Sequence, residues 1–214
     1  ANGSTIIKTS DGGMSWGTVW QQTSNWLFDI SFTDENTGFA IGISEDAGII
    51  LKSTDSGVTW STVWSGETVE LYSICFTDEN TVYVAGSDYD TGTWVILKTI
   101  DAGENWTMNS SATTGYLWSA FFADATTGYA VGTNQFLTSG TIIKTSDGGA
   151  TWSTLTSNID SPFYSVFFTD SDNGYVVGYD GNIIGTIDGG LNWESLSSGT
   201  HNRLNSVYFT DANT

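Results

Sequence analysis

The 214-residue chain carries 24 acidic and 5 basic side chains, a formal net charge of -19 at pH 7. This charge excludes binding to nucleic acid through a basic surface. Apolar residues make up 39% of the chain, enough to bury a core, and no apolar run approaches the roughly 18 residues of a membrane-spanning helix. The single cysteine, Cys75, and the single histidine, His201, exclude an internal disulfide and a Cys/His zinc site.

One eight-residue motif occurs five times along the chain. Its first copy, residues 9–16, reads TSDGGMSW, and every copy has a hydroxyl residue two positions before the Asp and a Trp five positions after it. Successive aspartates are separated by 41 to 46 residues, a period typical of one β-propeller blade. The Asp and Trp pairs are Asp11 and Trp16, Asp55 and Trp60, Asp101 and Trp106, Asp147 and Trp152, and Asp188 and Trp193.

Four short β-prone segments, A to D, fill each repeat. In the second repeat, residues 27–34 predict strand A, 38–42 strand B and 49–52 strand C, and strand D follows the motif Trp. The connections have hairpin length and no segment has helical periodicity. We predict one all-β domain, residues 1–214, a β-propeller of four-stranded antiparallel blades. Four blades are complete (26–64, 71–108, 116–155 and 163–196) and two are partial (about 1–20 and 204–214).

The motif resembles the Asp-box, also called the bacterial neuraminidase repeat, and the repeat unit is similar to the propeller of the photosystem II assembly and stability factors. The likeness covers nearly the whole chain. It implies a hairpin in each blade but no activity, because Asp-box propellers include sialidases, xyloglucan-degrading glycosidases, sortilin-type receptors and non-enzymatic assembly factors. The single arginine, Arg203, cannot supply the arginine triad of a sialidase or the arginine-rich patch of the assembly factors.

The repeated residues are expected to be structural, because function rarely needs five identical copies. Each box Asp should accept backbone N–H groups across the C–D turn, and each Trp should seal the gap between sheets and donate its indole N–H to a carbonyl. The Gly two positions after each Asp should have positive φ: Gly13, Gly57, Gly103, Gly149 and Gly190. The lysines share one repeat position and should lie at blade edges or pair with boxes: Lys8, Lys52, Lys98 and Lys144.

Positions that differ between blades predict the ligand-binding face. The B–C and D–A connections lie at one end of the blades, the top, opposite the box turns. The position just before strand A is occupied by Trp26, Glu70, Tyr116, Pro162 and Arg203, which all differ. We predict that ligand-binding residues on the top are Trp26, Trp94, Tyr116, Arg203, Tyr89 and Phe136.

Trp94 is included because other blades have Ser4, Gly48 or Gly140 at its position, so its ring is expected to be exposed at a loop. Rings mixed with carboxylates and amides suit sugars and extended peptides equally.

A second set of aromatic residues shares one site near the start of strand A: Phe28, Tyr72, Trp118 and Tyr164. One interpretation is that they line the mouth of a central channel, and the other is that they pack between blades. Alternation along the strand places this site on the same side as Phe32, which favours packing.

We therefore expect a non-enzymatic binding or scaffold module of a secreted or cell-surface protein that recognises glycan or protein through the top. A composition rich in Ser, Thr, Asn and Gly and poor in Lys indicates an extracellular or cell-surface location, or the periplasm. The alternative is a glycoside hydrolase that uses a pair of carboxylates. No cofactor is expected, the alternative being Ca²⁺ near Glu45 and Asp46 or residues 88–90. Nucleic acid and membrane insertion are not expected.

The predicted partial blades together lack one strand. Residues 1–20 supply only strands C and D, and residues 204–214 only strand A, so strand B would be missing between them. An absent strand leaves unpaired backbone groups on its neighbours. This pattern predicts continuation into a longer chain, or self-assembly in which another chain supplies the strand.

Overall fold

The structure is a computed structural model that describes residues 3–157 and 159–211, without the side chains of 111–113. Within these residues the strands form four four-stranded antiparallel sheets and one two-stranded sheet. The predicted all-β propeller of antiparallel blades is confirmed. In the described part of the chain, no helix is long and apolar enough to cross a bilayer.

Consecutive strands pair with each other, so every blade is a simple meander. The N-terminal half-blade consists of β1 (Gly3–Lys8) and β2 (Gly17–Thr23). Blade 1 contains β3 (Asn25–Phe32), β4 (Gly38–Ser44), β5 (Ala47–Ser53) and β6 (Ser61–Glu67), and blade 2 contains β7 (Val69–Phe76), β8 (Val82–Asp88), β9 (Thr93–Thr99) and β10 (Thr107–Thr114). Blade 3 contains β11 (Tyr116–Phe122), β12 (Gly128–Thr133), β13 (Gly140–Thr145) and β14 (Ser153–Leu155). Blade 4 contains β15 (Phe163–Phe168), β16 (Gly174–Gly178), β17 (Ile183–Thr186) and β18 (Glu194–Leu196).

The first strand of each blade is the innermost. Strand β3 contacts β7, β7 contacts β11, and β11 contacts β15, whereas the fourth strand lies at the opposite edge of each sheet. One side-chain oxygen per blade joins adjacent inner strands. Ser73 Oγ accepts the N–H of Ala120 at 3.2 Å, and Ser119 Oγ accepts the N–H of Val166 at 3.3 Å.

The strand A predicted after blade 4 does not pair into a sheet in the described residues. Its N–H groups nevertheless make the contacts of an inner strand. Val207 N–H donates to Ser165 Oγ at 3.2 Å, and Leu204 N–H donates to Gly178 O at 2.9 Å. The segment therefore occupies the position of strand A, but no described strand B lies beside it to form a ladder.

The box turn is organised by its aspartate and the hydroxyl residue before it. Asp147 accepts the Thr151 N–H at 2.9 Å and the Thr151 hydroxyl at 2.6 Å. Thr145 Oγ1 donates to Asp147 and accepts the N–H of Gly149, each at 2.8 Å. The predicted positive φ is confirmed at all five glycines, with values from +79° to +91°: Gly13, Gly57, Gly103, Gly149 and Gly190.

The prediction for the box tryptophans is only partly confirmed. The indole N–H donates to a carbonyl in Trp16 and Trp60, at 3.2 Å to Gly13 O and Gly57 O. The prediction is wrong for three others, whose buried indole N–H groups have no partner in the described structure: Trp106, Trp152 and Trp193. These rings pack edge to face on a phenylalanine, as the Trp60 ring also does. Phe122 and Trp152, for example, lie 6.0 Å apart at 89°.

At three of the box turns, a backbone carbonyl joins one blade to the blade before it. Gly148 O accepts the hydroxyl of Tyr83 at 2.9 Å and the ammonium of Lys98 at 2.7 Å. The ammonium also lies 5.3 Å from the Tyr83 ring centroid, and that ring stacks on Phe122 of the next blade at 3.8 Å. The same arrangement occurs at the next junction, where Gly189 O accepts the Tyr129 hydroxyl at 2.9 Å and the Lys144 ammonium at 2.7 Å. Lys8 bonds to Ser56 O and Lys52 pairs with Glu104, so the predicted pairing of lysines with boxes is confirmed.

We predict that Tyr83→Phe lowers the free energy of unfolding by about 0.5 to 1.5 kcal/mol, because one buried hydrogen bond is lost while the ring and the Lys98 bond stay. Urea denaturation measures this change. Tyr175→Phe is the matched control, since Tyr175 has the same repeat position but faces no further box in the described residues. An equal loss in Tyr175→Phe would contradict the role of the box carbonyl.

We predict that Asp147→Asn destabilises the protein at pH 7 but not near pH 2. Hydrogen bonds from the Thr151 hydroxyl, the Thr151 N–H and the Thr145 hydroxyl lower the pKa of Asp147 from 3.8 to about 2. A lowered pKa stabilises the folded state above the unfolded pKa, and the contribution is lost as the pH falls through the folded pKa. Melting curves from pH 7 to pH 2, with Glu35→Gln as the control, should show the deficit shrinking; a constant deficit would exclude a contribution from the charge.

Candidate functional site

Each inner strand contains a β-bulge at the same place. The register shifts between Leu27 and Asp29 in β3, and at the corresponding positions of β7, β11 and β15. The residues left out of the register are Phe28, Tyr72, Trp118 and Tyr164. A bulge re-aims the side chain it carries, so alternation from Phe32 does not fix the side on which these rings lie. We call these four residues the inner aromatic row.

Members of the inner aromatic row contact one another from blade to blade. The ring centroids of Phe28 and Tyr72 are 5.4 Å apart, and those of Tyr72 and Trp118 are 4.5 Å apart. The Trp118 indole N–H donates to Thr133 Oγ1 at 3.3 Å, which holds the ring. Phe28 is 47% exposed, and the other three members are half-buried. The row therefore combines packing between blades with an accessible aromatic surface.

The variable position before strand A supplies the border of this row. Tyr116 stacks on Trp118 at 5.7 Å and 15°. Glu70 accepts a hydrogen bond from the Tyr72 hydroxyl. The Arg203 guanidinium carbon lies 3.8 Å from the centroid of the Tyr164 ring. Two predicted binding residues, Tyr116 and Arg203, thus contact the row, whereas sequence reasoning did not connect Glu70 with Tyr72.

Trp26 occupies the same variable position in blade 1 and is 59% exposed on β3, two residues before Phe28. Pro162, its counterpart in blade 4, is buried. Exposure of Trp26 is therefore a property of blade 1 and is not shared by every blade.

Trp94 is not where the sequence predicted it. It is only 6% exposed and packs in a core cluster with Leu117 of the next blade. The prediction was wrong because strand C of blade 2 already begins at Thr93, which places Trp94 within the sheet opposite Ser87. The position faces the neighbouring blade: a Cβ on the equivalent Gly140 would lie 2.3 Å from the Phe163 ring.

Tyr89 and Phe136 lie in B–C turns at the top. Tyr89 is 45% exposed and its hydroxyl donates to Asp46 O at 3.3 Å. Phe136, between β12 and β13, is 73% exposed. Both are accessible as predicted, but neither contacts the inner aromatic row within the described structure.

The tyrosines near Glu70 are held in the neutral form. Burial raises the pKa of Tyr72 far above its usual value, and the hydrogen bond and charge of Glu70 raise it further. The pKa of Tyr89 is also raised. Desolvation is the largest cause, and nearby negative charges add to it: Asp46, Asp90, Glu70 and Asp88. The Tyr72 hydroxyl therefore acts as a hydrogen-bond donor at neutral pH.

The described residues contain no group of three or more His, Cys, Asp or Glu arranged to hold a metal ion. Asp88, which the sequence suggested for Ca²⁺, accepts the N–H groups of Asp90 at 2.9 Å and Thr91 at 3.2 Å. Its carboxylate thus organises the turn that carries Tyr89.

The family described as Photosynthesis system II assembly factor YCF48 matches residues 152–214, which are under a third of this chain. No curated protein matches the sequence significantly. The solved structure of YCF48 from Cyanidioschyzon merolae aligns with a TM-score of 0.71 and 14% identity, over 97% of this chain and 69% of its own. A structure described as YCF48 bound to D1 peptide aligns with a TM-score of 0.51 and 14% identity over 81% of each chain.

A glycoside hydrolase also shares the fold. The GH74 enzyme of Niastella koreensis aligns with a TM-score of 0.68 and 18% identity over 90% of this chain and 34% of its own. Because the identities are this low, all these similarities establish the architecture alone. This chain is a β-propeller with bacterial-neuraminidase-type repeats that resembles the photosystem II assembly factor, as its repeats predicted.

We predict that Asp29→Ser raises the melting temperature at pH 7, with a gain that shrinks as the pH falls. Asp29 accepts the Ile74 N–H at 3.0 Å, the bond that a serine makes in the other blades. Burial raises the pKa of Asp29 despite its hydrogen bonds. A raised carboxyl pKa means that ionisation destabilises the folded state as the pH rises through that pKa.

The reverse change, Ser119→Asp, is the matched variant and should lower the melting temperature at pH 7 more than at pH 4. Parallel pH profiles for Asp29→Ser and the parent protein would show that ionisation of Asp29 has no net cost.

Proposed function

We propose that this chain is a non-enzymatic scaffold module that binds an extended segment of a partner protein along the inner aromatic row. The supporting observation is the continuous contact from Phe28 through Tyr72 to Trp118 on three successive inner strands. Partly exposed aromatic rings arranged in a row resemble the anchors of protein interfaces, where rigid rings contribute much of the affinity.

An extended peptide fits this surface better than a compact domain. Its side chains alternate along a backbone that advances about 3.3 Å per residue, so neighbouring side chains on one face can meet successive rings. A propeller of the same architecture is described as bound to a peptide, which supports a peptide as the ligand class. The extracellular, cell-surface or periplasmic location inferred from composition is part of the same proposal, and cell fractionation with an antibody tests it.

The binding proposal is tested by selecting linear peptides from a display library against the folded chain, with the D1 peptide and xyloglucan oligosaccharides assayed beside them. Calorimetry should show that Trp118→Ala weakens a selected peptide by about 1 to 3 kcal/mol, because an anchoring ring is lost. Phe136→Ala is the control, since it removes an accessible aromatic ring outside the row. Thermal melts establish that both variants fold.

Tyr116→Ser gives a second test that leaves Trp118 in place and removes only its stacking partner at the border. It should also weaken the selected peptides. Binding of the oligosaccharides instead of peptides, or peptide binding that neither row variant changes, would overturn the proposal.

A further inference from the structure

One ring of the inner aromatic row already holds a cation from this chain. The Arg203 guanidinium carbon lies 3.8 Å from the Tyr164 ring centroid, while the side chain remains exposed. A guanidinium stacked on an aromatic face is attracted by the negative face of the ring and shields its apolar surface. Tyr164 therefore shows how a ring at this repeat position accommodates an arginine.

The other rings receive no comparable cation from the described residues. All four lysines bind at the box turns, at the opposite end of the blades: Lys8, Lys52, Lys98 and Lys144. Arg203 is the only arginine, and the single histidine, His201, lies 3.1 Å from Asp180. This chain therefore has no further Lys or Arg side chain to place over Tyr72 or Trp118. Both rings are partly exposed, so a cation from a partner can reach them beside their aromatic neighbours.

A carboxylate borders the same part of the row, because Glu70 accepts a hydrogen bond from the Tyr72 hydroxyl. The field of a chain with a net charge of -19 attracts cationic segments and repels acidic ones. Rings and carboxylates together are the two groups that recognise an arginine side chain, through its face and its N–H edge respectively.

We propose that the partner segment is basic and that its Arg or Lys side chains stack on Tyr72 and Trp118 and pair with Glu70. This inference rests on the proposed function, because it names the chemistry of the peptide that the inner aromatic row binds. Arg203 on Tyr164 is the intramolecular counterpart of the contact. An arginine fits better than a lysine, since its planar group covers the ring while its N–H edge reaches the carboxylate.

The test uses three synthetic peptides that share their apolar and aromatic residues. They differ only at the polar positions of the peptide, which are all Arg, all Gln or all Glu. Fluorescence anisotropy should show the Arg peptide binding at least about tenfold more tightly than the Gln peptide, and the Glu peptide more weakly still. Raising the NaCl concentration from about 50 to about 500 mM should weaken the Arg peptide selectively, because salt screens the charges.

Glu70→Gln removes the carboxylate charge and keeps an acceptor for the Tyr72 hydroxyl. It should reduce the preference for Arg over Gln peptides and the salt dependence, whereas Glu35→Gln, in the A–B turn at the opposite end, should change neither. If the Arg and Gln peptides bind equally and Trp118→Ala weakens both, the proposal of a basic ligand is overturned and the proposed function remains. Binding of none of the three peptides would overturn both.

Discussion

The hydrogen bonds accepted by the box-turn carbonyl hold the blades in register. Because Asp147 and Thr145 fix the turn internally, Gly148 O points out of it and is free to accept from Tyr83 and Lys98 of the preceding blade. A local turn motif thus becomes a contact between sheets. Stacking of Tyr83 on Phe122 adds apolar burial at the same junction, so the polar and apolar interactions favour one arrangement of the blades.

The arrangement of the blades determines which side chains of the inner strands lie next to one another. Among the described residues, adjacent inner strands have no backbone ladder between them, and single side-chain oxygens such as that of Ser73 bridge the gap. The bulge near the start of each inner strand takes one side chain out of the ladder, and rings placed in this way on successive blades contact one another. The inner aromatic row is therefore a product of blade stacking.

The distribution of charge follows from the same architecture. The box turns use all the lysines as bridges between blades, which leaves the carboxylates of the loops largely without cations from this chain. Arg203 is the exception, and it lies on a ring of the row rather than on a carboxylate. Structural use of the lysines at the box end thus leaves Glu70 and the rings beside it without a lysine partner, the combination on which the proposed recognition of a basic segment depends.

The sequence alone determined the repeat, the strand order and the turn formed by the box Asp and Gly, because these depend on residues within one hairpin: Gly149 has the positive φ that its place in the turn predicted. It did not determine which variable residues are exposed. Trp94 differs from its counterparts yet is buried, since the next blade covers it, and the side of Phe28 depends on a bulge that alternation cannot reveal. Contacts between blades join residues about 45 positions apart, as in the bond from Ile74 to Asp29; the tertiary structure alone decides them, because their energies depend on how separate sheets stack.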